Sequence, residues 1–404
     1  MIRMFLVAIA TALTAACTTK VGIEPRTPNS PDQGYADAIP IDETTPILDV
    51  SMPMNGEVID AGTWDSGTSD ASREIIECGY EVSVISPEPG SFIPDDDRIQ
   101  VVGQVDTGAG NPAANTTVQL LIGGEVEGEA FTNADGQFIF EREVQAGDLR
   151  RAKVVVQTPA GQCEEESDFE IFSCRGEFLE DFNENPVTWT RHGSATWDPG
   201  GWLDMTGPTQ GQKGAYYNDI DLIERGLASI EFTIRTGNGL NGGADGFALT
   251  IVNLPDPDRF ISLLDAAASG AGLGYAVGGA FATPEFNQEV EAITVEVDTW
   301  YNSINAGNRH TDPTEENHIA ITQNVDASDH LAWFEVPNIE DMQDHRVRVD
   351  LLADRLRVSF DEVVVLEQDA RLVFKGGYMF FSGSTGWASN LHIIDSVKIL
   401  HDCR

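Results

Sequence analysis

The chain has 404 residues, with 66 Asp and Glu against 24 Lys and Arg, for a formal net charge of −42. Such an acidic surface repels nucleic acid and anionic membranes, so neither is expected as a partner. The length leaves room for two or three domains of about 100–200 residues each.

Arg3 precedes an apolar run, Met4 to Ala16, that is too short to span a bilayer and reads as a secretory signal. The run ends in Leu13-Thr14-Ala15-Ala16-Cys17, which resembles a bacterial lipobox with Cys17 as the lipidated residue. Thr14 stands where an aliphatic residue is usual, which leaves ordinary signal cleavage open. Thr18 in place of aspartate resembles lipoproteins passed on to the outer membrane, so a lipid-anchored protein of the bacterial outer membrane or cell surface is expected. Four cysteines follow: Cys78, Cys163, Cys174 and Cys403. An even count in an exported chain reads as disulfides, with three pairings open. Position along the chain suggests Cys78–Cys163 and Cys174–Cys403.

Residues 18–76 are rich in Pro, Asp, Thr and Ser without a sustained apolar period, the composition of a disordered acidic stalk. Alternation begins in residues 77–174, with Val82 and Val84, then Ile99, Val101 and Val105, then Val118, Leu120 and Ile122, then Phe138 and Phe140. Asn133-Ala134-Asp135-Gly136 is a hairpin signal. Short strands at this spacing predict a small β-sandwich, and with Pro89-Gly90 and Asp95-Asp96-Asp97 the segment resembles bacterial Ig-like modules, which act mostly as spacers.

Residues 175–404 are again strand-rich. Ile230, Phe232 and Ile234 alternate with polar residues, as do Phe247, Leu249 and Ile251, then Val347, Val349 and Leu351, then Leu356, Val358 and Phe360. One short helical turn is expected near Phe260 to Ala267. Roughly 230 residues of unbroken strand pattern suit one large sandwich. Trp189, Trp197, Trp202, Trp333 and Trp387 are expected in its core.

The chemistry concentrates at 296–318. Glu296 and Asp298 are two apart and so share one face of a strand, opposite Val295 and Val297. Two neighbouring carboxylates repel unless a cation, a proton or catalysis justifies them. Asn302, Asp312 and His318 follow on a polar stretch. Asp298, Asn302, Asp312 and the Trp300 carbonyl are the oxygen set that calcium takes. Glu296 and His318, sharing Asp298 and Asp312, suit a metal that tolerates imidazole, such as manganese (Mn2+).

Glu296-Val297-Asp298-Thr299-Trp300-Tyr301-Asn302, then Asp312-Pro313, then His318-Ile319 resembles the metal loop of L-type (legume-like) lectins. The resemblance covers roughly residues 177–402 and implies a concanavalin-like jelly-roll β-sandwich behind the Ig-like one, hence an all-β chain. It implies calcium (Ca2+) on Asp298, Trp300, Asn302 and Asp312, and a transition metal on Glu296, Asp298, Asp312 and His318. The loop from Asn302 to Asp312 is longer than in plant members and brings Asn305 and His310 into reach of the site. Ala244-Asp245-Gly246 resembles the family's sugar-binding turn, where a cis peptide precedes the aspartate. Gly270-Ala271-Gly272-Leu273-Gly274-Tyr275 resembles its glycine loop, with Gly272 the residue offering an N–H to the sugar. Trp300 is placed to stack on the sugar and Asn302 to bridge metal and sugar. Phe380-Phe381-Ser382-Gly383-Ser384-Thr385-Gly386 resembles the run that precedes a sugar-lining loop. A calcium-dependent lectin with glycan partners is therefore implied.

Two other readings compete. The metal would be a fold staple in a protein-binding adhesin, or the sandwich would host a glycoside hydrolase. The hydrolase signature resembles Glu-x-Asp-x-x-Glu, and here Tyr301 stands where the second glutamate belongs, so the carboxylate pair of a retaining mechanism is incomplete. A non-enzymatic protein is expected.

Overall fold

The computed structural model describes residues 79–404, apart from 96–97, 123–124, 144–151, 158–163, 220–226, 287–289, 304–309 and 371–375. Cys17, the 18–76 segment, Cys78, Cys163 and Asn305 lie outside the described residues.

The expected all-β class holds. Strands Tyr80–Ser86, Arg98–Thr107 and Gln137–Glu143 form one small sheet. Glu125–Phe131, Thr117–Ile122, Ala152–Gln157 and Glu164–Phe169 form another. Between them lie Val101, Val105, Val118, Leu120, Phe138, Phe140 and Val154, the inward parity of their strands. The short strand Ser91–Pro94 leaves this sandwich and pairs in parallel with the start of Ile171–Glu180, which belongs to a larger sheet.

The large sandwich has two sheets. One runs, edge to edge, through Thr190–Gly193, Lys213–Asp219, Tyr378–Ser384, Gly246–Val252, Ala292–Asp298, His318–Gln323 and Asp326–Glu335. The other is built on Ser389–Cys403, Ala228–Leu240, His345–Leu351 and Leu356–Phe360, and Ile171–Glu180 pairs with Ser389–Cys403. The alternating residues read from the sequence meet in the core between these sheets: Ile230, Phe232 and Ile234 from one, Phe247, Leu249 and Ile251 from the other. Cys174 and Cys403 are disulfide-bonded across 229 residues of sequence.

The first sheet is covered on its outer face as well. Helix Pro257–Ala266, capped by Asp256 through its Asp258 and Arg259 N–H groups, lays Phe260, Leu263 and Leu264 onto that face. With apolar cover on both sides, every residue of Gly246–Val252 and of Ala292–Asp298 is buried. The carboxylates of Glu296 and Asp298 therefore sit inside the protein and not on a solvated strand face. Trp387 departs from the core expectation: it is 70% exposed, on the loop after Tyr378–Ser384, whereas Trp189 is buried. No helix among the described residues is long and apolar enough to cross a membrane.

Candidate metal centre and ligand site

Register assembles the site. Gly246 pairs with Asp298, and Asp298 with His318, across three adjacent strands. Strand parity then puts Glu296 on the same outer face as Asp298, beside Ala248 and Ala320. The small alanines leave room above Glu296, and Tyr275 fills it by donating its hydroxyl to Glu296 Oε2 at 2.6 Å. The second carboxylate oxygen, Oε1, meets His330 Nε2 at 3.0 Å. Burial pushes the Glu296 carboxyl up, but His330, His318 and the Tyr275 hydroxyl together bring it below its ordinary value. Burial lowers His330, but its bond to Glu296 and the charges of Glu296 and Asp312 together raise it above its ordinary value.

Asp298, Asp312 and His310 form a second group, 1%, 6% and 1% exposed. Each carboxylate spends one oxygen on the loop it supports. Asp298 Oδ1 accepts from Trp300 N–H at 2.8 Å, and Asp312 Oδ2 accepts from Asn302 N–H. Asp298 Oδ2, Asp312 Oδ1, His310 Nε2 and His318 Nε2 are buried without any hydrogen-bond partner. Burial, with the charges of Asp312 and Glu296, holds the Asp298 carboxyl well above the usual range. Leaving such atoms unpaired costs about 1–3 kcal/mol each, more when charged; a cation is the group that repays it. The donor chemistry fits the metal that the resemblance implies. Asp298, Asp312, the Trp300 carbonyl and the Asn302 side chain would hold calcium, which fixes loops by drawing oxygens together.

Asp245 adjoins this centre. Its peptide bond with Ala244 is cis. Its carbonyl accepts from Thr299 N–H at 2.7 Å and from Thr299 Oγ1 at 3.0 Å, which ties the turn to the residue after Asp298. Burial pushes the Asp245 carboxyl up to about 7, against an opposing N–H from Gly386 and with a further push from Asp312. Asp245 Oδ2 has no partner. Two glycines press against this carboxylate: a Cβ on Gly386 would lie 3.1 Å from Oδ2, and one on Gly270 would lie 3.8 Å from Oδ1. Gly272 is turned elsewhere, since a Cβ there would meet Ala268 at 2.5 Å. Of the glycines at 270, 272 and 274, Gly270 is the one whose Cβ position lies beside the Asp245 carboxylate.

Trp300 is half-buried, with its ring 6.5 Å from that of the exposed Trp387. Asn302 donates its side-chain amide to the Trp300 carbonyl at 3.2 Å. The structure thus brings Asp245, Trp300, Asn302, Asp298 and Asp312 into one neighbourhood, with Glu296 and His318 a strand position away. His330 was not singled out from the sequence. Its signal is weak: it lies on the next strand, past a register irregularity that breaks simple alternation.

No family model matches the chain, and no curated protein does. Among solved structures it is similar to the exoplasmic/lumenal domain of VIP36 in its Ca2+/Man3GlcNAc-bound form, at 16% identity and a TM-score of 0.41, over 56% of this chain and 88% of that one. It is similar to lectin UEA-II complexed with galactose, at 15% identity and a TM-score of 0.41, over 56% and 99%. It is also similar to the Lotus tetragonolobus seed lectin, at 15% identity and a TM-score of 0.43, over 57% and 99%.

Proposed function

We propose that this chain is a carbohydrate-binding protein, a lectin, whose sugar site at Asp245 is organised by bound calcium. The observation that carries the reading is the pairing of two unsatisfied elements. A buried carboxylate oxygen at Asp245 is unpartnered, with Gly270 and Gly386 close beside the carboxylate, and its backbone is bonded to the turn that follows a cluster of orphaned metal donors. A carboxylate accepts hydrogen bonds from vicinal sugar hydroxyls, and charge-assisted bonds of this kind are about twice as strong as neutral ones. Trp300 and Trp387 offer aromatic faces nearby for the apolar side of a sugar ring.

Binding is favoured over hydrolysis by the fate of Glu296. Both of its oxygens are engaged, by Tyr275 and His330, and Tyr301 occupies the position of the missing second glutamate. The small sandwich serves as a spacer in this reading. A lipid at Cys17 and a stalk over 18–76 would display the site at a bacterial surface.

Glycan-array binding by the purified chain, in calcium and then in excess chelator, tests the proposal. Binding that disappears on chelation is the expected result. A folded, calcium-loaded chain that captures no glycan would overturn it in favour of a protein-binding adhesin.

A further inference from the structure

Asp245 and the loop that carries Trp387 touch directly, since Gly386 gives its N–H to the Asp245 carboxylate. Their outer ends meet through one further side chain. Glu340 is half-buried on the loop that follows strand Asp326–Glu335. Its Oε1 accepts from Asn390 Nδ2, and its Oε2 accepts from Asn317 Nδ2 at 2.9 Å. Asn390 lies three residues after Trp387, at the start of Ser389–Cys403, and Asn317 immediately precedes His318. Oε1 also rests on the turn that leads to Asp245: Gly243 is buried with φ +86, and a Cβ there would collide with that oxygen.

Glu340 is itself held on both sides. Ile339 is 1% exposed in the core between the large sheets, and Met342 N–H donates to the Thr236 carbonyl at 3.0 Å. The Glu340 backbone packs on Gly237, φ +134, where a Cβ would lie 2.8 Å from the Glu340 carbonyl oxygen. Val336 N–H donates to the Asn317 carbonyl at 2.7 Å, so main chain and side chain both fasten Asn317 to this loop. Another tie joins the same two site segments, with Asn241 Nδ2 donating to the Trp387 carbonyl at 3.1 Å. A carboxylate with both oxygens committed to amides, on a backbone anchored before and after it, holds its neighbours to one spacing.

We infer that Glu340 is a positioning residue of the sugar site, whose carboxylate sets the separation between the turn at Asp245 and the loop of Trp387. It acts through Gly243 and Asn390 and not on the sugar, since both of its oxygens are already engaged. Asp245 and Trp387 stand on turns beyond the ends of strands, where the ladder gives little support. A ligand that meets both at once binds more tightly when their separation is fixed before it arrives. The residue type follows from this role: two amides need two acceptors at the end of one side chain long enough to reach both. The role rests on the lectin reading of Asp245, and one of its two readouts contains no sugar.

The test uses the whole folded chain in saturating calcium. Affinity is read on the glycan array, as the chain concentration that half-saturates its strongest spots, and amide exchange is read by mass spectrometry without glycan. Glu340→Asp keeps the charge but is one methylene too short to reach both amides. It is expected to weaken glycan binding by about tenfold or more, the loss of one hydrogen bond to a charged acceptor. It should also speed exchange in 242–246, which includes the Asp245 N–H bonded to the Ser384 carbonyl, and in 385–390. Glu340→Gln combined with Asn390→Asp turns the bond between these two side chains round and still leaves an acceptor for Asn317. That pair is expected to bind within about threefold of wild type. A Glu340→Asp chain with a lower Tm but wild-type affinity and exchange overturns the assignment, and so does a folded pair that binds as weakly as Glu340→Asp. If Glu340→Asp does not fold, Asn317→Ala releases one carboxylate oxygen at a half-buried position. It should bind about threefold more weakly with the same exchange pattern; no change in either ends the proposal. A wild type that captures no glycan sinks the lectin reading, and exchange then decides alone: faster exchange in the two segments carries the positioning role, and unchanged exchange overturns it.

Discussion

Asp245 should destabilise the metal-free protein, and its replacement should reveal by how much. The carboxyl is 4% exposed and is pushed from 3.8 up to about 7, first by burial and then by Asp312, against the single opposing N–H of Gly386. An unfolded chain releases this proton near 3.8, whereas the folded chain keeps it until about pH 7. The native state therefore binds more protons in that window, and stability falls as pH rises through it. At about 1.36 kcal/mol for each pH unit, the cost reaches roughly 2 kcal/mol near pH 5.4 and on the order of 4 kcal/mol above pH 7. Asp245→Asn keeps the shape and removes the charge. Under chelation the variant should match wild type at pH 4 and exceed it by several kcal/mol at pH 8. At about 2–4 °C per kcal/mol for a domain of this size, that is a rise in Tm of roughly 10 °C. Calcium should shrink the difference, because it compensates the carboxylate in wild type. The same variant should lose sugar binding, since two hydrogen bonds to a charged acceptor contribute about 1.5–3 kcal/mol each. Urea titrations from pH 4 to 8 in chelator, paired with glycan binding in calcium, check both halves. A variant whose metal-free stability tracks wild type at every pH would refute the burial argument, and normal glycan binding would refute the role in the site.

Asp298→Ala should abolish calcium and glycan binding together, measured by calorimetry and glycan capture; retained glycan binding would show that the metal does not organise the site. His392 is buried, with Nε2 unpartnered and the ring lowered to about 3 by desolvation. Its unfolded form takes up a proton below about 6.5, so stability should fall as pH drops from 6.5 toward 3, by roughly 2 kcal/mol at pH 5. His392→Asn should flatten that limb of the denaturation profile. Gly243 has φ +86, and a Cβ there would lie 1.9 Å from Glu340 Oε1, which also holds Asn390. Gly243→Ala should therefore cost about 1–3 kcal/mol and weaken glycan binding with metal content unchanged. Reducing Cys174–Cys403, which closes a loop of 229 residues, should remove up to about 5 kcal/mol by the chain-entropy argument, read as a lower Tm in reductant.

Much of this architecture is legible because strand parity is a local signal. Ile230, Phe232 and Ile234, or Phe247, Leu249 and Ile251, announce a face on their own, and they meet across the core. Glu296 and Asp298 are likewise readable as neighbours on one strand face. What parity does not reveal is cover. The burial of Glu296 depends on Tyr275, which packs with helix Pro257–Ala266 on the sheet's outer face and arrives from elsewhere in the chain. His330 escapes for a related reason: it pairs with Thr322 only after the register of its strand has shifted. Trp387 shows the opposite failure, where an aromatic counted toward the core stands in solvent at 70% exposure, because a loop carries it past the end of its strand. The glycine loop is legible as a motif, yet three glycines at 270, 272 and 274 read alike and only the fold puts Gly270 against Asp245.

The same distinction explains why metal and sugar sites should act as one. Asp245 and Asp298 are 53 residues apart in sequence, as their numbers show, yet the pairing of Gly246 with Asp298 makes them neighbours. Thr299, the residue after Asp298, donates both its N–H and its hydroxyl to the Asp245 carbonyl. Any shift of the Asp298 turn must therefore either break two hydrogen bonds, at about 0.5–1.5 kcal/mol each, or carry Asp245 with it. If calcium is bound there, stripping it leaves Asp298 Oδ2 and Asp312 Oδ1 buried without a partner, which favours such a shift. Loss of sugar affinity on chelation then needs no contact between cation and sugar. Thr299→Val, which removes the hydroxyl bond and keeps the shape, should loosen this coupling, so that glycan binding in calcium weakens more than calcium binding itself. Equal losses of the two would mean that the hydroxyl only supports the fold.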